Sequence, residues 1–112
     1  MTDFVFHYTD DSGYKAISSQ PAWVFKATQP PGDHPFGAYF TTLGPTTRNL
    51  AKRLRVPKTK LAFLFCFFDR SDLLPLPGRR GKFIFYGPTD YTVEAGRQVF
   101  HGSIGTATEE LK

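Results

Sequence analysis

Apolar side chains along the chain come in short runs set off by turn-forming residues. The first run, Phe4-Val5-Phe6-His7-Tyr8-Thr9, is aromatic and β-branched and predicts a strand. Asp10 or Asp11 then offers a carboxylate to cap a helix, and Tyr14-Lys15-Ala16-Ile17 supplies a short helical segment that Pro21 ends. Trp23-Val24-Phe25 predicts a second strand. Residues 28–36 form a breaker-rich loop, and the chain leaves it through Gly37-Ala38-Tyr39-Phe40-Thr41, a third strand. Successive strand side chains point to opposite faces. Phe40 is therefore the core candidate there, and Tyr39 stands on the other face, at the mouth of the loop.

Residues 47–55 carry Leu50 and Leu54 on one side and basic residues on the other. That pattern predicts an amphipathic helix starting near Pro45 or Thr46 and closed by Pro57. Residues 61–68 are apolar on both faces and predict a central, doubly buried strand. A polar connection over 69–81 leads to a strand at 83–86, and Gly87-Pro88-Thr89 is a turn. Tyr91-Thr92-Val93 and Val99-Phe100-His101 predict the last two strands, with Gly96 between them. From Gly105 onward the residues are small and polar, and the tail is expected to fray. The sum is an α+β fold in a single domain over 1–112, with a split or two-sheet β core of about six strands and two short helices.

Composition sharpens this. With 112 residues, 40% hydrophobic and 16% aromatic, the chain is excluded from the disordered class. The formal charge of +4 and a pI near 9.4 favour an anionic partner. Basic residues gather at Arg48, Lys52, Arg53, Arg55, Lys58 and Lys60, and again at Arg79, Arg80 and Lys82. The single cysteine, Cys66, lies in an apolar run; it excludes an internal disulfide framework and a multi-cysteine zinc site and reads as a buried small hydrophobe. The spacing of His7, His34 and His101 does not resemble a zinc site, so no metal is expected, and His34 and His101 are expected at the surface. No signal-peptide pattern and no membrane-length apolar run is present, so the molecule is expected to be soluble, free of membrane, and either cytoplasmic or delivered as an effector.

Three residues that can carry chemistry stand at strand boundaries: His7, Tyr39 and Asp90. With their surroundings, His7-Tyr8-Thr9, Gly37-Ala38-Tyr39-Phe40-Thr41 and Asp90-Tyr91, joined by Gln98-Val99, the chain resembles the diphtheria-toxin and poly(ADP-ribose) polymerase class of ADP-ribosyltransferases. It is similar above all to the small toxin-type branch with an H-Y-D signature. The resemblance runs over residues 4–100 and implies an ADP-ribosyltransferase-like fold with NAD as co-substrate. It further implies that His7 bonds a ribose hydroxyl and that the Tyr8 backbone holds the nicotinamide carboxamide, supported by Thr9. Tyr39, after Gly37, would stack on the nicotinamide ring. Asp90 would stabilise the positive charge that develops as the glycosidic bond breaks. Thr47 is a secondary candidate for the carboxamide oxygen, and residues 28–36 would cover the dinucleotide. Leu50 stands where several relatives have a second stacking tyrosine. Aspartate in place of the polymerases' glutamate argues for mono- rather than poly-ADP-ribosylation. Implied partners are a protein or nucleic-acid acceptor and an immunity or inhibitor protein, with the chain itself a monomer.

Each of these residues also has an ordinary role. His7 suits a strand histidine bonded to a neighbouring backbone group, Tyr39 a half-buried strand tyrosine, and Asp90 a cap on the Gly87-Pro88 turn. Glu94 is the fallback acid. Other functions consistent with the residues are an NAD glycohydrolase, an RNA 2′-phosphate-processing enzyme of related fold, and a non-catalytic basic module that binds nucleic acid.

Overall fold

The computed structural model describes residues 4–29, 36–75, 84–87 and 89–110. Most of the expected covering loop, His34, and the Arg79, Arg80 and Lys82 group lie outside the described residues. The elements in order are β1 (Phe4–Thr9), α1 (Asp11–Ser18), β2 (Trp23–Phe25), β3 (Ala38–Phe40), α2 (Leu50–Leu54), β4 (Phe63–Phe68), β5 (Leu74–Pro75), β6 (Ile84–Tyr86), β7 (Tyr91–Val93), β8 (Gln98–Ser103) and α3 (Ile104–Glu110). Short 3₁₀ turns occupy Lys58–Leu61 and Ala95–Arg97. The fold is α+β. Among the described residues the strands form three antiparallel sheets, ordered β1-β4-β8, β2-β7 and β3-β6-β5, in place of the expected split or two-sheet core of about six strands.

The central strand is β4, as its two-sided apolarity predicts. Leu64, Phe65, Cys66 and Phe67 are all buried between β1 and β8. Alternation sends Val5, Phe65 and Phe67 to one side, where they meet Trp23, Phe25, Ala38, Phe40, Tyr91 and Val93. Phe6, Leu64 and Cys66 face the other side and meet Ala107 of α3. Aromatic rings meet edge to face through the first cluster, for example Phe25 on Phe40 with centroids 5.1 Å apart. Burial pushes the Cys66 thiol up to about 12, which suits the inert role expected of it.

Four further expectations need correction. The tail does not fray from Gly105: it forms α3. Ser103 Oγ accepts from the Thr106 N–H at 3.3 Å at the helix start, and Ala107 is fully buried against the sheet. Residues 47–55 are helical only over Leu50–Leu54, because Asn49 and Arg55 adopt left-handed backbone angles, φ 57° and 58°, at the two ends. Asparagine tolerates that conformation better than most residues. The central strand begins at Phe63, since residues Lys58–Leu61 turn as a 3₁₀ helix. Among the described residues the connection after β4 holds a further strand, β5, which exists through its pairing with β6.

The α1 start is as expected, with Asp10 Oδ1 accepting from the Gly13 N–H at 3.0 Å. At the seam between β3 and β6 the two backbones press together. A Cβ on Gly37 would lie 2.8 Å from the Tyr86 carbonyl oxygen, and one on Gly87 would lie 2.6 Å from that of Phe36. Glycine at both positions lets β3 lie this close.

Candidate functional site

The site is where β1 and β3 part. Phe6 exchanges both backbone hydrogen bonds with Thr41, at 2.9 Å each. In an antiparallel strand the N–H and C=O of one residue point to the same edge, and that edge alternates along the chain. Tyr8, two residues on, thus turns its N–H and C=O to the same edge as Phe6, away from β4. Continued pairing would set Tyr8 opposite Tyr39. Pairing instead stops at the Phe6–Thr41 bridge, and the Tyr39 carbonyl accepts from His7 Nδ1 at 3.2 Å. The Tyr8 backbone therefore faces a parted edge.

A pocket of about 200 Å³ occupies the parting. Phe6, His7, Tyr8, Tyr39, Phe40 and Thr41 line it from the strands, and Leu54, Val56 and Lys60 from the segment after α2. Pockets for drug-sized ligands begin near ~300 Å³, and a cavity of about 150 Å³ holds a benzene ring. This one has room for a group of about one ring.

The polar groups around the pocket are fixed in distinct ways. His7 sits among Phe25, Phe40 and Phe65, with ring centroids at 4.7, 5.8 and 6.5 Å. Burial pushes its pKa down to about 4, only partly offset by the bond to Tyr39. The imidazole is neutral at pH 7. A carbonyl can only accept, so Nδ1 carries the proton and Nε2 is left as an acceptor. Tyr8 Oη donates to the Leu43 carbonyl at 2.8 Å, and burial raises its pKa. Tyr39 stacks on Phe85 across the β3–β6 pair, centroids 5.6 Å apart and planes 18° from parallel. Lys60 Nζ lies 2.7 Å from Asp10 Oδ2 and, with the Gly13 N–H, holds that carboxyl down near 2.

His7, Tyr8 and Tyr39 therefore meet around one pocket. The other candidates do not line it. Thr9 packs at the start of α1, where its side chain leaves no room for a Cβ at Gly13. Gly37 exchanges both backbone bonds with Thr28, at 2.8 and 3.0 Å. Thr47 lies in a turn, its N–H bonded to the Gly44 carbonyl at 3.1 Å. Leu50 is buried with Leu54 and Leu61 and does not line this pocket. Asp90 is one step removed. It precedes Tyr91, which pairs with Phe25, the ring against His7. Its Oδ1 accepts from the Ala27 N–H at 2.7 Å and its Oδ2 lies 3.5 Å from Lys26 Nζ. The Ala27 bond is the main reason its pKa falls below the usual carboxylate range. Glu94 is exposed and reaches Arg70 at 3.9 Å. Gln98 ties Pro21 and Val93 carbonyls together at 2.9 and 3.1 Å, a structural role. His101 is exposed, as expected, and bonds Tyr14 Oη at 2.6 Å.

The pocket walls that sequence reasoning missed are Leu54, Val56 and Lys60. Their signal was present, in the leucine periodicity and the basic group, but nothing local tied it to β1. No helix among the described residues is long and apolar enough to cross a membrane. No family model, no curated protein and no solved structure matches the chain.

Proposed function

We propose that the protein is an NAD-dependent mono-ADP-ribosyltransferase. The observation that carries this reading is the Tyr8 backbone, whose N–H and C=O face a parted strand edge in a ring-sized pocket between His7 and Tyr39. A donor and an acceptor at fixed spacing are what a carboxamide requires. The residues fit nicotinamide: the edge takes the amide, Tyr39 is an aromatic on the pocket lining, and the pocket volume admits one ring. NAD supplies an ADP-ribosyl group joined to nicotinamide as leaving group. In this reading His7 Nε2 accepts a hydrogen bond from a ribose hydroxyl, a role that needs the neutral ring. Asp90, held ionised, stabilises positive charge near the sugar. That term acts mainly in the transition state, so it governs rate more than binding.

A second reading, a non-catalytic binding module, is favoured by one observation: both Asp90 oxygens are engaged, by Ala27 and Lys26, outside the pocket lining. The experiment that separates the two is nicotinamide release from NAD by the purified chain, with and without candidate acceptors. Release, competed by free nicotinamide, is the expected result. Absence of both release and saturable NAD binding overturns the transferase reading. Release without any acceptor modified would make the protein an NAD glycohydrolase.

A further inference from the structure

The positive charge of the molecule is concentrated in one short segment. Residues 48–60 hold Arg48, Lys52, Arg53, Arg55, Lys58 and Lys60 and no acid. The rest of the chain carries eight basic and ten acidic residues, a formal balance of −2. All six of these side chains are exposed, and only Lys60 has an ion pair among the described residues. The buried face of the segment is apolar, with Leu50, Leu54 and Leu61 packed together. A second, larger groove of about 530 Å³ opens beside them. Its floor is Leu50, Leu61, Ala62 and Ile104, and Lys52 and Lys58 stand on its lining.

We propose that this groove docks an acidic protein segment that also carries apolar side chains. Charge complementarity selects an anionic partner. The floor then decides which kind. Lys and Arg pair with phosphates as readily as with carboxylates, but a phosphate backbone leaves an apolar floor unfilled, and single strands are held by exposed aromatic rings on which bases stack. Residues 43–62 contain no aromatic residue, and the groove floor offers aliphatic carbon. An amphipathic acidic segment satisfies both features at once: its apolar side chains fill the groove while its carboxylates meet Lys52, Lys58 and their neighbours. The same segment of chain supplies Leu54, Val56 and Lys60 to the first pocket, so a partner seated here lies next to that pocket. The docking surface stands whether or not the first pocket binds NAD.

The test is fluorescence anisotropy on the intact chain with four labelled probes. They are a helical peptide of Glu with Leu at every third and fourth position, the same peptide with Ser for Leu, its Lys-for-Glu counterpart, and single-stranded oligothymidylate. The Glu–Leu peptide is expected to bind tightest, and more weakly as salt is raised. Lys52→Glu with Lys58→Glu should weaken it about tenfold, as should Ser for Leu in the peptide. Lys15→Glu on α1, away from the groove, should leave it unchanged. Far-UV circular dichroism and the milder Lys52→Ala with Lys58→Ala pair guard against a folding defect. Tighter binding of oligothymidylate, equal binding of the Ser peptide, or no binding of the Glu–Leu peptide overturns the proposal.

Discussion

Two polar corners of the molecule look alike in composition and differ in what they leave open. At the start of β7, Tyr91 Oη donates to Asp72 Oδ1 at 2.7 Å and accepts from Arg97 Nη2 at 2.7 Å. Arg97 also bonds the Phe68 carbonyl through Nε and Nη2, at 3.2 and 2.9 Å. Asp72 in turn holds Arg70 at 3.2 Å. The guanidinium lies 5.5 and 5.4 Å from the centroids of Phe67 and Tyr91. Nearly every group in this corner is used by another, and it ties β4, β7 and the approach to β5 together. The β1–β3 parting is the opposite case. His7 uses one nitrogen to fix its ring and keeps the other, while the Tyr8 backbone faces a gap. Polar residues at strand ends are thus structural or available according to how much of their bonding capacity their neighbours take up. Asp90 falls between the two corners, which makes it the most informative residue to change.

The largest effect is expected there. Asp90→Asn keeps size and one acceptor but removes the charge, and should lower kcat by on the order of a hundredfold to a thousandfold with little change in NAD affinity. Glu94→Gln should stay within a few-fold. If the asparagine variant turns over NAD like the parent and Glu94→Gln is dead, the carboxylate is Glu94. If neither matters, Asp90 belongs wholly with the structural corner and the transferase reading fails.

Next is the pH dependence of stability. His7 binds a proton near 6.5 in the unfolded chain and only near 4 in the fold. Between those values the unfolded state holds more protons, so stability should fall as pH drops from 6.5 toward 4, by up to ~3 kcal/mol. Urea titrations across that range should show the slope, and His7→Asn should flatten it. A parent with no slope there would mean His7 titrates normally and its ring is not held neutral by burial.

The structural corner is tested by Arg97→Met, which keeps the stem and deletes the guanidinium. A loss of about 1–3 kcal/mol in urea unfolding is expected, without change in NAD affinity. The lower end is favoured because Arg97 Nη1 is buried with no hydrogen-bond partner among the described residues, so part of the network's gain is already offset. A fall in NAD affinity instead would show the two corners to be coupled. The smallest effect is at Tyr39→Ala, where loss of ring stacking should cost about 0.5–1.5 kcal/mol, or a few-fold to tenfold in NAD affinity. Undiminished affinity would remove the stacking role.

What the sequence made legible follows from how local each cause is. β1, β2 and β7 are read correctly because their aromatic and β-branched runs decide them alone. α3 was missed because its cause is distant: a tail of small polar residues becomes a helix once Ala107 finds Leu64 and Cys66. β5 likewise depends on a partner strand, and α2 was overextended because a left-handed Asn49 leaves no mark in hydrophobic spacing. At the site, His7 and Tyr39 were legible as residue types at strand boundaries. The parting of β1 from β3 was not, because register between segments far apart in the chain is set by the Phe6–Thr41 bridge and by a histidine bond to a distant carbonyl.

The glycine pair at the β3–β6 seam bears on how this protein is best engineered. Any side chain at position 37 or 87 runs into a carbonyl oxygen of the opposing segment, so it would displace the ribbon that carries Tyr39 rather than reshape the cavity it borders. A library meant to alter which ring is accepted should hold both glycines constant and vary Tyr39, Leu54 and Val56, which line the cavity. Randomising the glycines would mix shifts of the scaffold with changes of selectivity, and the two would be inseparable in any screen.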